Sequence, residues 1–219
     1  MNILAFDTST ELCSAALLCN GDLVVREALA GNRHSELLLP MLHELLDEAG
    51  LRLQELDGLA FGKGPGSFTG LRIGCGVAQG LAFAADLPVL GVITLEAMAL
   101  AAGAEHVLTC IDARMHEVYA GAYRVIGTTI EVVTPPAVLP PDAFTPAGDQ
   151  AWVGCGTGFL AYPDKLGGKV RHVVPAIYPH AREIARLALP CFARGEGQAA
   201  ELAEPYYIRD KVALKICER

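Results

Sequence analysis

The chain has 219 residues, 52% hydrophobic and 19% charged, with a formal net charge of −8. That length and apolar content suffice for one large domain or two small ones and exclude a largely disordered chain. The acidic balance, with no basic run, excludes a free-standing nucleic-acid binder, whose phosphate contacts need clustered Lys and Arg. Seven cysteines (Cys13, Cys19, Cys75, Cys110, Cys155, Cys191 and Cys217) lie singly, without C-x-x-C. This is the pattern of reduced cytosolic thiols, not of a disulfide framework or a zinc site. The start, MNILAFDTST, lacks a basic flank and a long apolar run, so it does not read as a signal peptide. The apolar region 73–102 is interrupted by Gln79, Asp86, Pro88 and Glu96, which argues against a membrane span. The expectation is a cytoplasmic protein.

In chain order, NILAFDTS reads as a buried strand ending in polar residues. CSAALLC and LVVREAL read as two more strands, joined at Asn20-Gly21-Asp22, and Asn-Gly between apolar runs is a strong hairpin signal. Residues 35–49 predict a helix, with Ser35 near its start and Gly50 just past its end. DGLAFGKG is a strand running into a glycine-rich loop, and 71–85 a second helix. PVLGVIT is a strand and EAMALAA a short helix. HVLTCIDA, EVYAGAYRV and TIEVV are further strands, followed by a loop rich in proline (Pro135, Pro136, Pro140, Pro141, Pro146). WVGCG is a strand with a glycine turn, and 180–194 the last clear helix. Hairpins mixed with β–α crossovers indicate an α/β chain, with a boundary near residues 103–106 and no repeat at solenoid spacing.

Two helices carry more apolar surface than one core needs. Placed at about 100° per residue, the apolar side chains of 35–49 span roughly 200°, about twice one core stripe. Leu38, Leu42, Leu45 and Ala49 can face a sheet, which leaves Leu37 and Met41 for another surface. That surface is either a second side inside the same chain or a partner. The next helix, LRIGCGVAQGLAFAA, has a single charge, Arg72. Gly70, Gly74, Ala78 and Ala82 recur every four residues, and Gly76, Gly80 and Ala84 form a second ridge. Interior glycine costs roughly 1 kcal/mol relative to alanine, so its repetition makes sense where backbones approach closely on two sides. One ridge suits the chain's own sheet and the other a partner.

The loop before that helix, GKGPGSFTGLRIG at 62–74, invites a phosphate reading. A P-loop needs G-x-x-x-x-G-K-[ST], but Gly62-Lys63 is followed by Gly64. A dinucleotide fingerprint needs G-x-G-x-x-G, but after Gly64 and Gly66 the next glycine is Gly70, one position late. What remains is a strand-to-helix turn whose glycines let the backbone approach something, a phosphate or another protein. Ser67 or Thr69 is the expected N-cap.

ILAFDTST, NRHSELLLP, GPGSFTGLRIG at 64–74 and DARMHEVYAGAY at 112–123, with PYYIRD near the end, together resemble the TsaB family, also called YeaZ. The resemblance implies an α/β, actin/Hsp70/sugar-kinase-like (ASKHA) fold of two small subdomains, here 1–104 and 105–219, the tail of the second returning to the first. It implies a non-catalytic, dimerising and activating subunit of the machinery that makes threonylcarbamoyladenosine beside the tRNA anticodon. The partners implied are the catalytic TsaD and the ATPase TsaE, with a homodimer when alone and tRNA met only through the complex. The surface around the first two helices would mediate both pairings. With the helix faces, this assigns the interface to Leu37, Met41, Gly70, Arg72, Ile73, Gly74, Val77, Ala78 and Leu81. No cofactor of its own is implied, and ATP would bind at a composite interface.

The chemistry-bearing residues agree with a non-catalytic role. Where TsaD-like proteins carry two metal-binding histidines four apart, GVITLEAMA has Thr94 and Met98, poor ligands for such a metal. The histidines show no H-x-x-x-H or H-E-x-x-H spacing. Asp7 and Thr8, at the end of the first strand, are the candidates if the chain binds nucleotide, and Asp7 alternatively caps the adjacent turn. The matching second loop would start at Asp112, but Ile111-Asp112-Ala113-Arg114 has no glycine to admit a phosphate. Gly154-Cys155-Gly156-Thr157-Gly158 reads as a tight connection rather than an adenosine turn. In Arg33-His34-Ser35-Glu36, His34 at a helix start could meet a catalytic acid or a nucleotide, but the more common arrangement has Ser35 capping and Glu36 complementing the helix dipole. Arg114, His116 and Glu117 read as a solvated turn, with a proton relay as the alternative. The alternative reading is an independent ATP-dependent phosphotransferase or hydrolase of the same fold, supported by Asp7 and the glycine loop.

Overall fold

The first strand, β1 (Asn2–Asp7), is buried along nearly its whole length, as a central strand with both faces covered must be. It pairs antiparallel with β2 (Leu12–Cys19), which pairs antiparallel with β3 (Asp22–Leu29). Asn20 and Gly21 turn the β2–β3 hairpin at φ 52° and 96°, the left-handed conformation that a two-residue turn needs. On the other side of β1, β4 (Gly58–Gly64) and β5 (Val89–Ile93) add in parallel. Their crossovers are the helices α1 (His34–Ala49) and α2 (Phe68–Ala85). The sheet order is β3-β2-β1-β4-β5. This structure is a computed structural model and describes residues 1–148 and 150–209; Asp210 and Cys217 lie outside the described residues.

A second sheet repeats the plan. Strands β6 (His106–Asp112), β7 (Val118–Ile126) and β8 (Thr129–Leu139) run antiparallel in turn. Strands β9 (Val153–Cys155) and β10 (His172–Val174) add in parallel beside β6, giving the order β10-β9-β6-β7-β8. In both sheets three antiparallel strands come first, and two parallel strands then join the free side of the first. Short helices α4 (Thr157–Ala161) and α5 (Pro163–Leu166) connect β9 to β10.

The helices that follow the two sheets lock them together. Helix α3 (Thr94–Ala101) follows β5, but its Leu95, Met98 and Ala99 pack with Val107, Ile111 and Tyr123 of the second sheet. Helix α6 (Ala181–Ala193) follows β10, but its Ile184, Ala185, Ala188 and Phe192 pack with Ile3, Ala5, Ala60 and Val92 of the first. Duplicated α/β halves that exchange their last helices are the actin/Hsp70/sugar-kinase arrangement. Among the described residues no helix is long and apolar enough to cross a membrane.

Several boundaries differ from the sequence reading, each for a local reason. Helix α2 starts at Phe68 because Ser67 takes the N-cap, its Oγ accepting from Gly70 N–H at 3.4 Å. Helix α1 has Arg33 at the N-cap position with no side-chain cap, so Ser35 does not cap. Strand β8 runs through Pro135 and Pro136 to Leu139 instead of stopping at a loop. Its pairing with β7 skips from Thr134 to Ala137, so both prolines sit in an edge-strand bulge where no ladder donor is needed.

Candidate functional site

The glycine loop closes on the chain itself. A Cβ on Gly66 would stand 2.3 Å from the Ser9 carbonyl oxygen, and one on Gly70 1.9 Å from that of Thr8. Gly64, at φ 124°, would bring its Cβ within 2.7 Å of the Tyr206 carbonyl oxygen. The polar groups are consumed locally as well. Ser67 N–H donates to Ser9 O at 2.7 Å, Thr8 Oγ1 to Gly70 O at 2.7 Å, and Thr94 Oγ1 to Pro65 O at 2.6 Å. The loop is glycine-rich because the turn after β1 and the chain near Tyr206 press against it.

Asp7 lies in the same corner, 1% exposed. Its Oδ1 accepts from Ser9 N–H at 2.9 Å and Ser9 Oγ at 2.8 Å, the turn-capping geometry. Its Oδ2 has no partner among the described residues and abuts the β4 backbone, where a Cβ on Gly62 would stand 1.8 Å away. Burial pushes the Asp7 carboxyl up to about 7, against the two Ser9 hydrogen bonds that lower it. Asp7 and Thr8 therefore face protein, and a nucleotide phosphate does not fit between Oδ2 and Gly62 as they stand.

The second half of the fold offers no clearer cradle. Asp112 Oδ1 accepts from Arg114 N–H at 3.0 Å, and its Oδ2 pairs with the Arg114 guanidinium at 3.2 Å. Gly156 and Gly158 press on Cys110 of β6, consistent with a tight connection. Thr94 and Met98 are fully buried in packing. Arg114, Met115 and His116 form an exposed left-handed turn, while Glu117 pairs with Arg209. His34 is buried, which holds its pKa below the usual histidine value. Among the described residues no group of three or more His, Cys, Asp or Glu could hold a metal ion.

The open surface lies between α1 and α2. A groove of about 510 Å³ is lined by Ser35, Leu38 and Leu39 of α1 and by Arg72, Ile73, Gly76, Val77, Gly80 and Leu81 of α2. The exposed residues of α2 are Phe68, Thr69, Arg72, Gly76, Gly80, Phe83 and Ala84, with one charge among them. A solvated helix face normally carries several charges. Phe83, at the far end, is 83% exposed.

Of the interface residues expected from the sequence, Arg72, Ile73, Val77 and Leu81 are brought together in this groove. Gly70, Gly74 and Ala78 are not on it. They are buried, and Gly74 would bring a Cβ within 2.8 Å of Thr8 Oγ1, because their ridge faces the chain's own first half. The outward ridge is that of Gly76 and Gly80. Leu37 and Met41 are half-buried against the core cluster of the first sheet and do not line the groove. Ala49, expected toward the sheet, is exposed beyond the last core turn at Leu45. Leu39, half-exposed, was missed; the signal for it was the helical spacing from Ser35, which puts both on one side of α1.

The fold thus has this corner closed and an apolar groove between α1 and α2 open. A sequence model described as TsaD, tRNA N6-adenosine threonylcarbamoyltransferase, matches residues 25–153. The chain is 42% identical to the tRNA threonylcarbamoyladenosine biosynthesis protein TsaB of Escherichia coli K12, over 98% of this chain and 97% of that protein. It is 38% identical to TsaB of Haemophilus influenzae, over 98% and 96% of the two chains. It superposes on YeaZ from Pseudomonas aeruginosa with a TM-score of 0.90 and 44% identity, covering 94% of this chain and 99% of the other. The chain belongs to the TsaB family.

Proposed function

We propose that this chain is the non-catalytic, activating subunit of tRNA threonylcarbamoyladenosine biosynthesis, acting in the cytoplasm. It docks on TsaD through the α1/α2 groove, TsaE joins the assembly, and a second copy of the chain takes the same face when TsaD is absent. The observation that carries this reading is the outward stripe of α2, where glycine and apolar residues stand in place of charge. Small residues there let another helix approach nearly backbone to backbone. The docking face lies within the proposed subdomain 1–104, with Tyr207 of 105–219 reaching back to its edge at Arg72.

The effect on TsaD is a population shift: this chain binds the active arrangement of the catalytic subunit more tightly and so enriches it. A net charge of −8 favours contact with tRNA only through the complex. ATP, where the assembly uses it, belongs at a composite surface, since Asp7 and Thr8 are taken up in internal packing.

Reconstitution tests the function. TsaD and TsaE are expected to modify tRNA briskly only when this chain is added; unchanged modification without it would end the proposal. Gly80→Asp tests the face. Gly80 has open space around it, so the monomer tolerates the change, while an uncompensated carboxylate in a closed interface costs about 3 kcal/mol, roughly 100-fold in affinity. Sedimentation with TsaD should show the complex lost and the monomer intact.

A further inference from the structure

Arg72 is the sole charge on α2 and the sole charge lining the groove, and it is held in place. Its Nε donates to Tyr207 Oη at 3.1 Å. Its guanidinium carbon stands 3.8 Å from the Phe68 ring centroid, and the Phe68 and Tyr207 rings are 5.5 Å apart. The segment that brings Tyr207 there is itself tied down. Gln79 Nε2 donates to Ala203 O at 2.8 Å, Tyr206 N–H to Lys63 O at 2.7 Å, and Arg209 Nη1 to Ala113 O at 2.8 Å. Among the described residues Arg72 has no carboxylate partner, and its one hydrogen bond is made by Nε, not by either Nη group.

We propose that Tyr207 presets Arg72 as the groove's charged anchor, so that the TsaD surface docking there supplies a carboxylate to its two Nη groups. The inference rests on the docking reading above. A guanidinium with Nε occupied and one face stacked on an aromatic ring presents its Nη pair as a fixed fork, which matches a carboxylate with two parallel hydrogen bonds. A lone fixed cation in an apolar groove supplies register, which apolar contact alone does not. A phosphate of RNA would suit the fork too, but the net charge of −8 on the chain disfavours a polyanion. Tyr207 acts as a positioning residue, through Arg72.

The test is a double-mutant cycle on the affinity of the full chain for TsaD, at low and high salt. Arg72→Ala is expected to weaken binding about ten-fold or more and to flatten the salt dependence. Arg72→Lys keeps the charge but not the fork, and should recover little. Tyr207→Phe keeps the ring stack and removes only the hydroxyl; it should weaken binding several-fold in the wild-type background and not at all in Arg72→Ala. If Gly80→Asp abolishes docking while Arg72→Ala and Tyr207→Phe leave it unchanged, the groove docks TsaD but the anchor is refuted. If Gly80→Asp is also without effect, the docking reading fails and the anchor with it. Loss of self-association alone, with TsaD binding intact, would assign the fork to a second copy and overturn the proposal. Loss of tRNA binding alone would likewise overturn it, in favour of phosphate.

Discussion

Gly70→Ala is expected to destabilise the folded chain by about 3 kcal/mol or more, whereas Gly76→Ala on the same helix should stabilise it by about 1 kcal/mol. The added Cβ at 70 would stand 1.9 Å from the Thr8 carbonyl oxygen. That atom is backbone, so no rotamer change relieves the clash. The turn after β1 must separate from α2, and the buried Thr8 Oγ1 bond to Gly70 O goes with it. At 76 nothing lies within 4 Å, so the methyl acts only through helix propensity. Urea denaturation of both variants measures the pair. The second half of the expectation is sharper: the methyl at 76 adds bulk to the groove, so Gly76→Ala should also weaken association with TsaD. A variant that is more stable yet pairs less well cannot be explained by misfolding. Equal destabilisation at both sites would mean that the outward ridge is packed against something, contrary to the groove.

The contrast between these glycines also marks how far the sequence was legible. Four-residue spacing showed that α2 has two small-residue ridges, and in the structure one is buried against the chain while the other is exposed. Spacing does not say which ridge turns inward. That is decided by the turn at Thr8 and Ser9, which lies more than fifty residues away in the chain and packs on Gly66 and Gly70. The strands of the first half were legible because the Asn20-Gly21 turn and the unbroken apolar runs are local signals. The duplication of the two halves was not, because only topology repeats: a 16-residue helix links β3 to β4, while the described residues of the equivalent link between β8 and β9 hold only a short turn of helix at Pro141–Ala143. The exchange of α3 and α6 was equally hidden, since an amphipathic pattern names a buried face but not the sheet that covers it. Thr94 and Met98 could be read as non-ligands directly, because side-chain chemistry survives without coordinates.

Asp7→Asn separates the turn-capping role of Asp7 from a nucleotide role through pH. The folded chain raises this carboxyl from 3.8 to about 7 by burial, equivalent to roughly 4 kcal/mol in favour of the neutral form. The sign follows from proton linkage. A carboxyl whose folded value is raised contributes stability that is fully present below about pH 4 and is lost as pH rises through about 7. Asparagine keeps the Oδ1 acceptor that holds Ser9 and does not titrate. Its amide nitrogen lies against Gly62 where Oδ2 lay, which shifts stability by a constant at every pH. The difference in stability between Asp7→Asn and wild type should therefore grow by about 4 kcal/mol between pH 4 and pH 8, whatever that constant is. Denaturant titrations at both pH values measure it, and other titrating groups cancel in the difference. Parallel curves would mean that Asp7 is ionised inside the fold and held there by a cation. A closed capping residue has no use for one, and a magnesium-nucleotide site would; the independent-enzyme reading would then regain its strongest support.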